Sequence, residues 1–80
     1  MEISAQISLY PLKQERLSPA IEEAWRIIEE YDIITQKGSM STVLTGDRKE
    51  VFDAVTEIFE ELSKKGMLVL NVTFSNACPV

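Results

Sequence analysis

Four polar positions on one short stretch invite chemistry. Residues Glu2 to Tyr10 read Glu-Ile-Ser-Ala-Gln-Ile-Ser-Leu-Tyr. On a β-strand, successive side chains point to opposite faces. Ile3, Ala5, Ile7 and Leu9 therefore share one face, and Ser4, Gln6, Ser8 and Tyr10 share the other. A solvated sheet face ordinarily carries Lys, Glu, Arg and Thr. This one carries short, uncharged hydrogen-bonding groups and an aromatic ring. Two kinds of cover would suit it, a small heteroaromatic ligand or another subunit. The competing reading is a face left to water.

Most catalytic constellations are excluded by what is missing. The chain has no His and one Cys, Cys78. No Ser-His or Cys-His nucleophile pair is available, and neither a zinc site nor an iron–sulfur cluster is expected. Gly38, Gly46 and Gly66 stand at turn or cap positions, so there is no phosphate-cradling glycine loop. Cys78, between Ala77 and Pro79, has no basic neighbour in sequence to lower its pKa. It reads as a packing or loop residue rather than a redox thiol. Trp25 is either a core or interface aromatic or a stacking surface for a ligand.

Size and charge narrow the classes further. Eighty residues make a single domain, 1–80, with a small core. With no disulfide or metal to brace it, oligomerisation is the remaining common support. The net charge of −5 argues against nucleic acid, which favours a basic stripe. The acidic excess, Glu22, Glu23, Glu29, Glu30, Glu57, Glu60 and Glu61, falls on the helices and reads as a solvated face. Met1 is followed at once by the strand pattern, so no leader is expected. No apolar run approaches the ~18 residues of a membrane span. A cytoplasmic protein is the expectation, with no membrane insertion.

The elements that must position these groups follow from periodicity. Strand one is predicted over residues 2–10, stopped by Pro11, which cannot extend a central ladder. After the polar loop Leu12 to Leu17, Ser18 is an N-cap and Pro19 a first helical residue. The first helix runs to about Tyr31, with a stripe of Leu17, Ile21, Ala24, Ile28 and Tyr31 flanked by Trp25 and Ile27. Ile33 to Lys37 is a short strand, Gly38-Ser39 a turn, and Met40 to Thr45 a third strand. Asp47 caps a second helix, Arg48 to Lys65, with Glu50 completing an Asp-led capping box. Its stripe is Val51, Val55, Ile58 and Leu62, widened by Phe52, Ala54 and Phe59. Glu60–Lys64 and Glu61–Lys65 are spaced as ion pairs, and Gly66 ends the helix. Met67 to Ser75 is the last strand, and Asn76 to Val80 a tail.

This βαββαβ order predicts an α+β, ferredoxin-like sandwich: a four-stranded antiparallel sheet with two helices on one face. The other face stays bare of helices. Besides the first-strand residues, it should carry Val69, Asn71, Thr73 and Ser75, leaving Leu68, Leu70, Val72 and Phe74 to the core. On strand three either the row Ser41, Val43, Thr45 or the row Met40, Thr42, Leu44 faces outward. An RNA-binding version of the fold would place basic and aromatic groups on the central strands. These carry Ser, Gln, Asn and Thr.

Four stretches in this order resemble a known family. They are Ser8-Leu9-Tyr10-Pro11, Ser41-Thr42-Val43-Leu44-Thr45-Gly46-Asp47, Val51-Phe52-Asp53-Ala54, and Thr73-Phe74-Ser75 followed by Cys78-Pro79. Together, across nearly the whole chain, they resemble the YkoF-like thiamine- and hydroxymethylpyrimidine-binding proteins. The resemblance implies a non-catalytic, ACT-like binding unit with no cofactor. Some members carry two units in one chain and are linked to a thiamine-precursor transporter. Others are single units that form homodimers or homotetramers. This chain resembles the second kind in architecture and the first in its motifs. Relatives outside the closest group often have Glu before the Gly that ends strand three. Thr45 stands there here, so any contact from that carboxylate is missing.

The residues suit such a ligand. An aminopyrimidine offers an NH₂ donor beside a ring-nitrogen acceptor, which a carboxamide matches. Gln6 and Asn71 are the carboxamides of the expected open face. Ser8, Ser41 and Thr42 can supply further hydrogen bonds, and Tyr10 or Trp25 can cover the ring and attract a thiazolium cation. The candidate site is therefore Gln6, Ser8, Tyr10, Ser41, Thr42 and Asn71. For Gln6, Ser8 and Asn71 the alternative is a subunit interface, and for Thr42 a core-facing hydroxyl bonded to backbone. Rival functions are an ACT-like amino-acid sensor, a purely structural oligomeric domain and, more distantly, an acylphosphatase-type hydrolase. The last wants an anion-cradling loop, and Pro11 to Arg16 contains Arg16 but no Gly.

Overall fold

The computed structural model describes residues 1–12 and 18–77. The expected cap at Ser18, the stripe residue Leu17, the loop residue Arg16 and Cys78 involve side chains outside that description. The elements are β1 (Glu2–Pro11), α1 (Ser18–Ile28), β2 (Ile33–Lys37), β3 (Thr42–Asp47), α2 (Arg48–Ser63) and β4 (Leu68–Ser75). All strand pairs are antiparallel and the order across the sheet is β2-β3-β1-β4. This is the ferredoxin-like α+β arrangement that the sequence predicts.

The alternation of β1 becomes two faces as expected. Ile3, Ala5 and Ile7 are buried against Ala24, Ile27, Ile28, Val51, Ala54, Ile58 and Leu62 of the helices. On β3, Thr42 and Leu44 take the buried side, so Val43 and Thr45 belong to the open face. That resolves the ambiguity of strand three. On β4, Leu68, Leu70 and Val72 are half-buried beneath the helices, while Val69, Asn71 and Thr73 are exposed. Phe74 lies on the helix-facing row yet stays largely exposed, stacked on Phe52 of α2 with ring centroids 4.3 Å apart.

Several boundaries differ from the periodicity. The first helix ends at Ile28 rather than Tyr31. Its last bonds shorten: Glu30 N–H donates to Ile27 and Tyr31 N–H to Ile28, three residues back, a tightening common at helix ends. Tyr31 still packs on the core, and its hydroxyl donates to Glu57 Oε1 at 2.5 Å. This bond to the Glu57 carboxylate pushes the Tyr31 hydroxyl up to about 12. The second helix ends at Ser63, with Lys64 as C-cap and Gly66 at φ 152° releasing the chain.

The third strand starts at Thr42 and runs through Gly46 to Asp47. Gly46 lies between Ile3 and Ile33 in the ladders, where a Cβ would sit 3.1 Å from the Asp32 carbonyl oxygen. Met40 is instead at the tip of the β2–β3 hairpin, 82% exposed. Gly38 N–H donates to the Ser41 carbonyl at 2.8 Å to close that hairpin. Asp47 caps α2 by accepting from Lys49 N–H. Glu50 does not complete the box, because its carboxylate accepts from Asp32 N–H at 2.9 Å. The charge pairs differ from the expected Glu60–Lys64 and Glu61–Lys65: Lys64 meets Glu61, and Lys65 reaches across to Glu23 on α1.

Pro11 belongs to β1, paired with Leu68. The reason is the direction of its backbone. In an antiparallel ladder, alternate residues send their N–H and C=O to opposite neighbours. Leu12 N–H donates to Met67, on the β4 side, and Arg48 N–H donates to Met1, on the β3 side. Even-numbered residues of β1 thus bond to β4, and odd-numbered residues face β3. Pro11 is odd, and the β1–β3 ladder ends at Ile7 opposite Thr42. Its missing N–H falls where no ladder bond is made.

Candidate ligand-binding cleft

That early end of β3 makes the site. From Ser8 onward β1 keeps β4 on one side and has no ladder partner on the other. The β2–β3 hairpin tip, Gly38 to Ser41, stands off from this edge, and α1 roofs the gap with Ile21, Glu22, Ala24 and Trp25. The result is a cleft of about 330 Å³, at the small end of the range for ligand pockets and large enough for a small two-ring molecule. Its floor is the edge of β1 from Ile7 to Tyr10, and Ser41 and Thr42 close one side.

Four of the six site residues expected from sequence meet here: Ser8, Tyr10, Ser41 and Thr42. Gln6 is exposed on the open face, and its Nε2 donates to Ser41 Oγ at 3.2 Å, so it supports the wall rather than lining it. Asn71 is exposed on the open face opposite Ser8 and does not line the cleft. Gln6 and Asn71 are diagonal neighbours on the open face, outside this cleft. The cavity lies at the sheet edge beneath α1, a correction to the expected position beside the bare face.

Thr42 is 7% exposed and faces the helices, yet its partner is not backbone. Its Oγ1 accepts from the Trp25 indole N–H at 3.2 Å. Because the hydroxyl accepts there, its own proton is left to donate. Trp25 is held by this bond at the cleft wall, half-buried. The Lys37 ammonium sits over the Trp25 ring, 4.4 Å from its centroid, a favourable cation–π placement. That ring is therefore already engaged by a cation. Glu22 contributes an exposed carboxylate at the rim.

Sequence reading missed Ile21, Glu22, Ala24, Lys37 and the backbone of Leu9 as parts of this neighbourhood. Ile21 and Trp25 stand four apart on α1, a spacing that places them together. Nothing in the sequence marks Lys37 as the partner of Trp25, since the contact depends on how β2 lies under α1.

The sequence profile described as the YKOF-related family matches residues 2–80. The chain belongs to the YkoF-related family. It is 33% identical over 75 residues to a Bacillus subtilis (strain 168) protein named "Putative HMP/thiamine-binding protein YkoF". That match covers 92% of this chain and 37% of the relative, so the chain spans little more than a third of the curated relative's length. Among solved structures, a hypothetical protein of Methanocaldococcus jannascii superposes with a TM-score of 0.87 at 24% identity, over 96% of this chain and 81% of that one. A Thermotoga maritima structure described as a putative thiamine biosynthesis/salvage protein gives 0.82 at 22% identity, over 94% and 83%. These structural likenesses establish the YkoF-related chain's fold. Among the described residues, no helix is long and apolar enough to cross a membrane.

Proposed function

We propose that this YkoF-related chain is a non-catalytic binding protein for thiamine or its hydroxymethylpyrimidine precursor, held in the cleft between β1, α1 and the β2–β3 hairpin. The observation that carries this reading is the cleft's make-up. Apolar walls from Ile21 and Ala24, the Trp25 indole and the helix-facing Thr42 hydroxyl enclose the β1 edge at Ser8 and Leu9, with Ser41 at one side, around a space large enough for a small two-ring molecule. Hydroxyls set among apolar groups orient a polar heterocycle and reject analogues that leave them unpaired. The pyrimidine half belongs inside. A thiazolium cation pressed on the same face of Trp25 would compete with Lys37, whereas at the rim it meets Glu22. The name of the B. subtilis relative supports the ligand class.

In this reading the protein is cytoplasmic and works as a homodimer or homotetramer. Its capture of the ligand is linked to uptake, through a thiamine-precursor transporter, or to thiamine homeostasis. Titration calorimetry with hydroxymethylpyrimidine, thiamine and thiamine phosphate tests the central claim. Trp25 is the single tryptophan, so its emission gives a second readout from the cleft wall. Saturable heat with a change in emission is expected for at least one ligand. Folded protein that gives neither at millimolar ligand removes the proposal.

A further inference from the structure

Leu9 lies midway along the unpaired edge of β1, and its number decides where its backbone points. The two bonds that frame the sheet, Leu12 N–H to Met67 and Arg48 N–H to Met1, send the N–H and C=O of odd-numbered β1 residues toward β3. Ile7 meets Thr42 there. In the same register Leu9 would face Met40, but Met40 is at the exposed hairpin tip. Leu9 thus presents a donor and an acceptor side by side into the cleft it lines, and among the described residues neither has a hydrogen-bond partner. Leu9 is half-buried, and a backbone pair left unmet by the sheet in such a cleft is open to a ligand that matches its donor and acceptor.

We propose that the Leu9 main chain is the recognition edge for the pyrimidine, standing in for a missing strand contact. This rests on the pyrimidine-binding reading above. A residue opposite Leu9 in a ladder would offer one acceptor and one donor. A 4-aminopyrimidine offers the same pattern on one edge. Its ring N3 accepts from Leu9 N–H, and its exocyclic NH₂ donates to Leu9 C=O. Main-chain pairing supplies affinity in the manner of an added strand, and the surrounding side chains supply fit. Thr42 and Ser41 then bond the rest of the ring. A 4-oxo pyrimidine reverses the pattern, with N3–H a donor and O4 an acceptor. It meets donor with donor and acceptor with acceptor unless the ring turns over, which misplaces its 5-substituent.

The test compares matched ligands on the unaltered protein: thiamine with its 4-oxo analogue, and hydroxymethylpyrimidine with its 4-oxo analogue. Calorimetry is expected to show the amino form binding at least tenfold tighter in both pairs. Amide hydrogen exchange followed by NMR is expected to slow at Leu9 when the amino form is added. Equal affinity for amino and oxo forms, or a Leu9 amide that exchanges as fast with ligand as without, overturns this edge while leaving pyrimidine binding intact. Absence of binding by every compound overturns both readings.

Discussion

The two ends of β1 share one alternating pattern and have different fates. From Glu2 to Ile7 the strand is flanked by β3, and from Ser4 to Pro11 by β4. In the overlap it is the centre of a sheet, and every backbone group faces a strand. Beyond Ile7 it becomes half an edge. The side chains do not announce this change: Ser-Ala-Gln-Ile and Ser-Leu-Tyr-Pro both alternate. What differs is whether β3 is still alongside, and that is set by where the β2–β3 hairpin turns. A face is a property of one strand, whereas an edge is a property of a pair.

Proline substitution separates the two ends most sharply. Ala5 is odd-numbered, fully buried and opposite Leu44, so its N–H is committed to β3. Ala5→Pro removes that bond and overfills the core, and should cost about 3 kcal/mol or more. Leu9→Pro removes an N–H that no ladder uses, as Pro11 already does two residues on. It should keep a cooperative denaturant transition, losing at most about 2 kcal/mol from altered packing, while amino-pyrimidine affinity falls at least tenfold. Urea unfolding and calorimetry on both variants check this. Unfolding of Leu9→Pro with stability matching Ala5→Pro would show that position 9 is also bonded into the sheet.

Trp25→Phe probes the cleft wall with a smaller change. It keeps a ring under Lys37 but removes the donor to Thr42 Oγ1. Thr42 is buried, so the loss should be about 1 kcal/mol, measured by thermal or urea unfolding. If stability does not move, the indole bond is not holding the wall.

The core face was legible because it depends on short-range rules. Ile3, Ala5 and Ile7 follow from a period of two, and Val51, Ile58 and Leu62 from the helical stripe. The cleft was legible only in part. Ser8, Tyr10, Ser41 and Thr42 stood out by residue type, yet the sequence placed Ser8 and Tyr10 on the open face with Gln6 and Asn71 and left open which row of strand three faced outward. The edge that gathers the first four depends on register, a long-range quantity. Pro11 illustrates the same gap. Its meaning turned on which neighbour its nitrogen faced, and only the frame of bonds at Met1 and Leu12 reveals that.

Alkaline pH gives a milder contrast, this time between the cleft and the far side of α1. The Tyr31 hydroxyl is pushed up to about 12 by its bond to Glu57, from an ordinary value near 10. The native state therefore holds this proton where the unfolded chain has released it. The contribution is complete below about pH 10 and is lost as pH rises through 12. Tyr31→Phe should lower stability slightly at neutral pH and reduce the fall between pH 10 and 12. Parallel pH profiles of the wild type and the variant would expose an unaltered slope, which would deny Tyr31 this role. Ligand affinity at neutral pH should not change, because Tyr31 does not line the cleft.

The smallest expected effect decides between the sheet's edge and its open face. Asn71 is exposed, and its side chain shares the open face with Gln6, Ser8 and Thr73. If the pyrimidine were held there, a carboxamide would be its natural partner, and Asn71→Leu would weaken binding more than tenfold. If the ligand sits at the β1 edge, the same change should leave affinity within about twofold, since a surface substitution away from the contact moves free energy by only about 0.5 kcal/mol. Leu is also tolerated by a strand, so the fold should survive and the comparison is clean. Binding unchanged by Asn71→Leu but lost in Leu9→Pro would assign the ligand to an edge of backbone rather than to a face of side chains. The reverse result would move the site back to the open face and leave the cleft without a ligand.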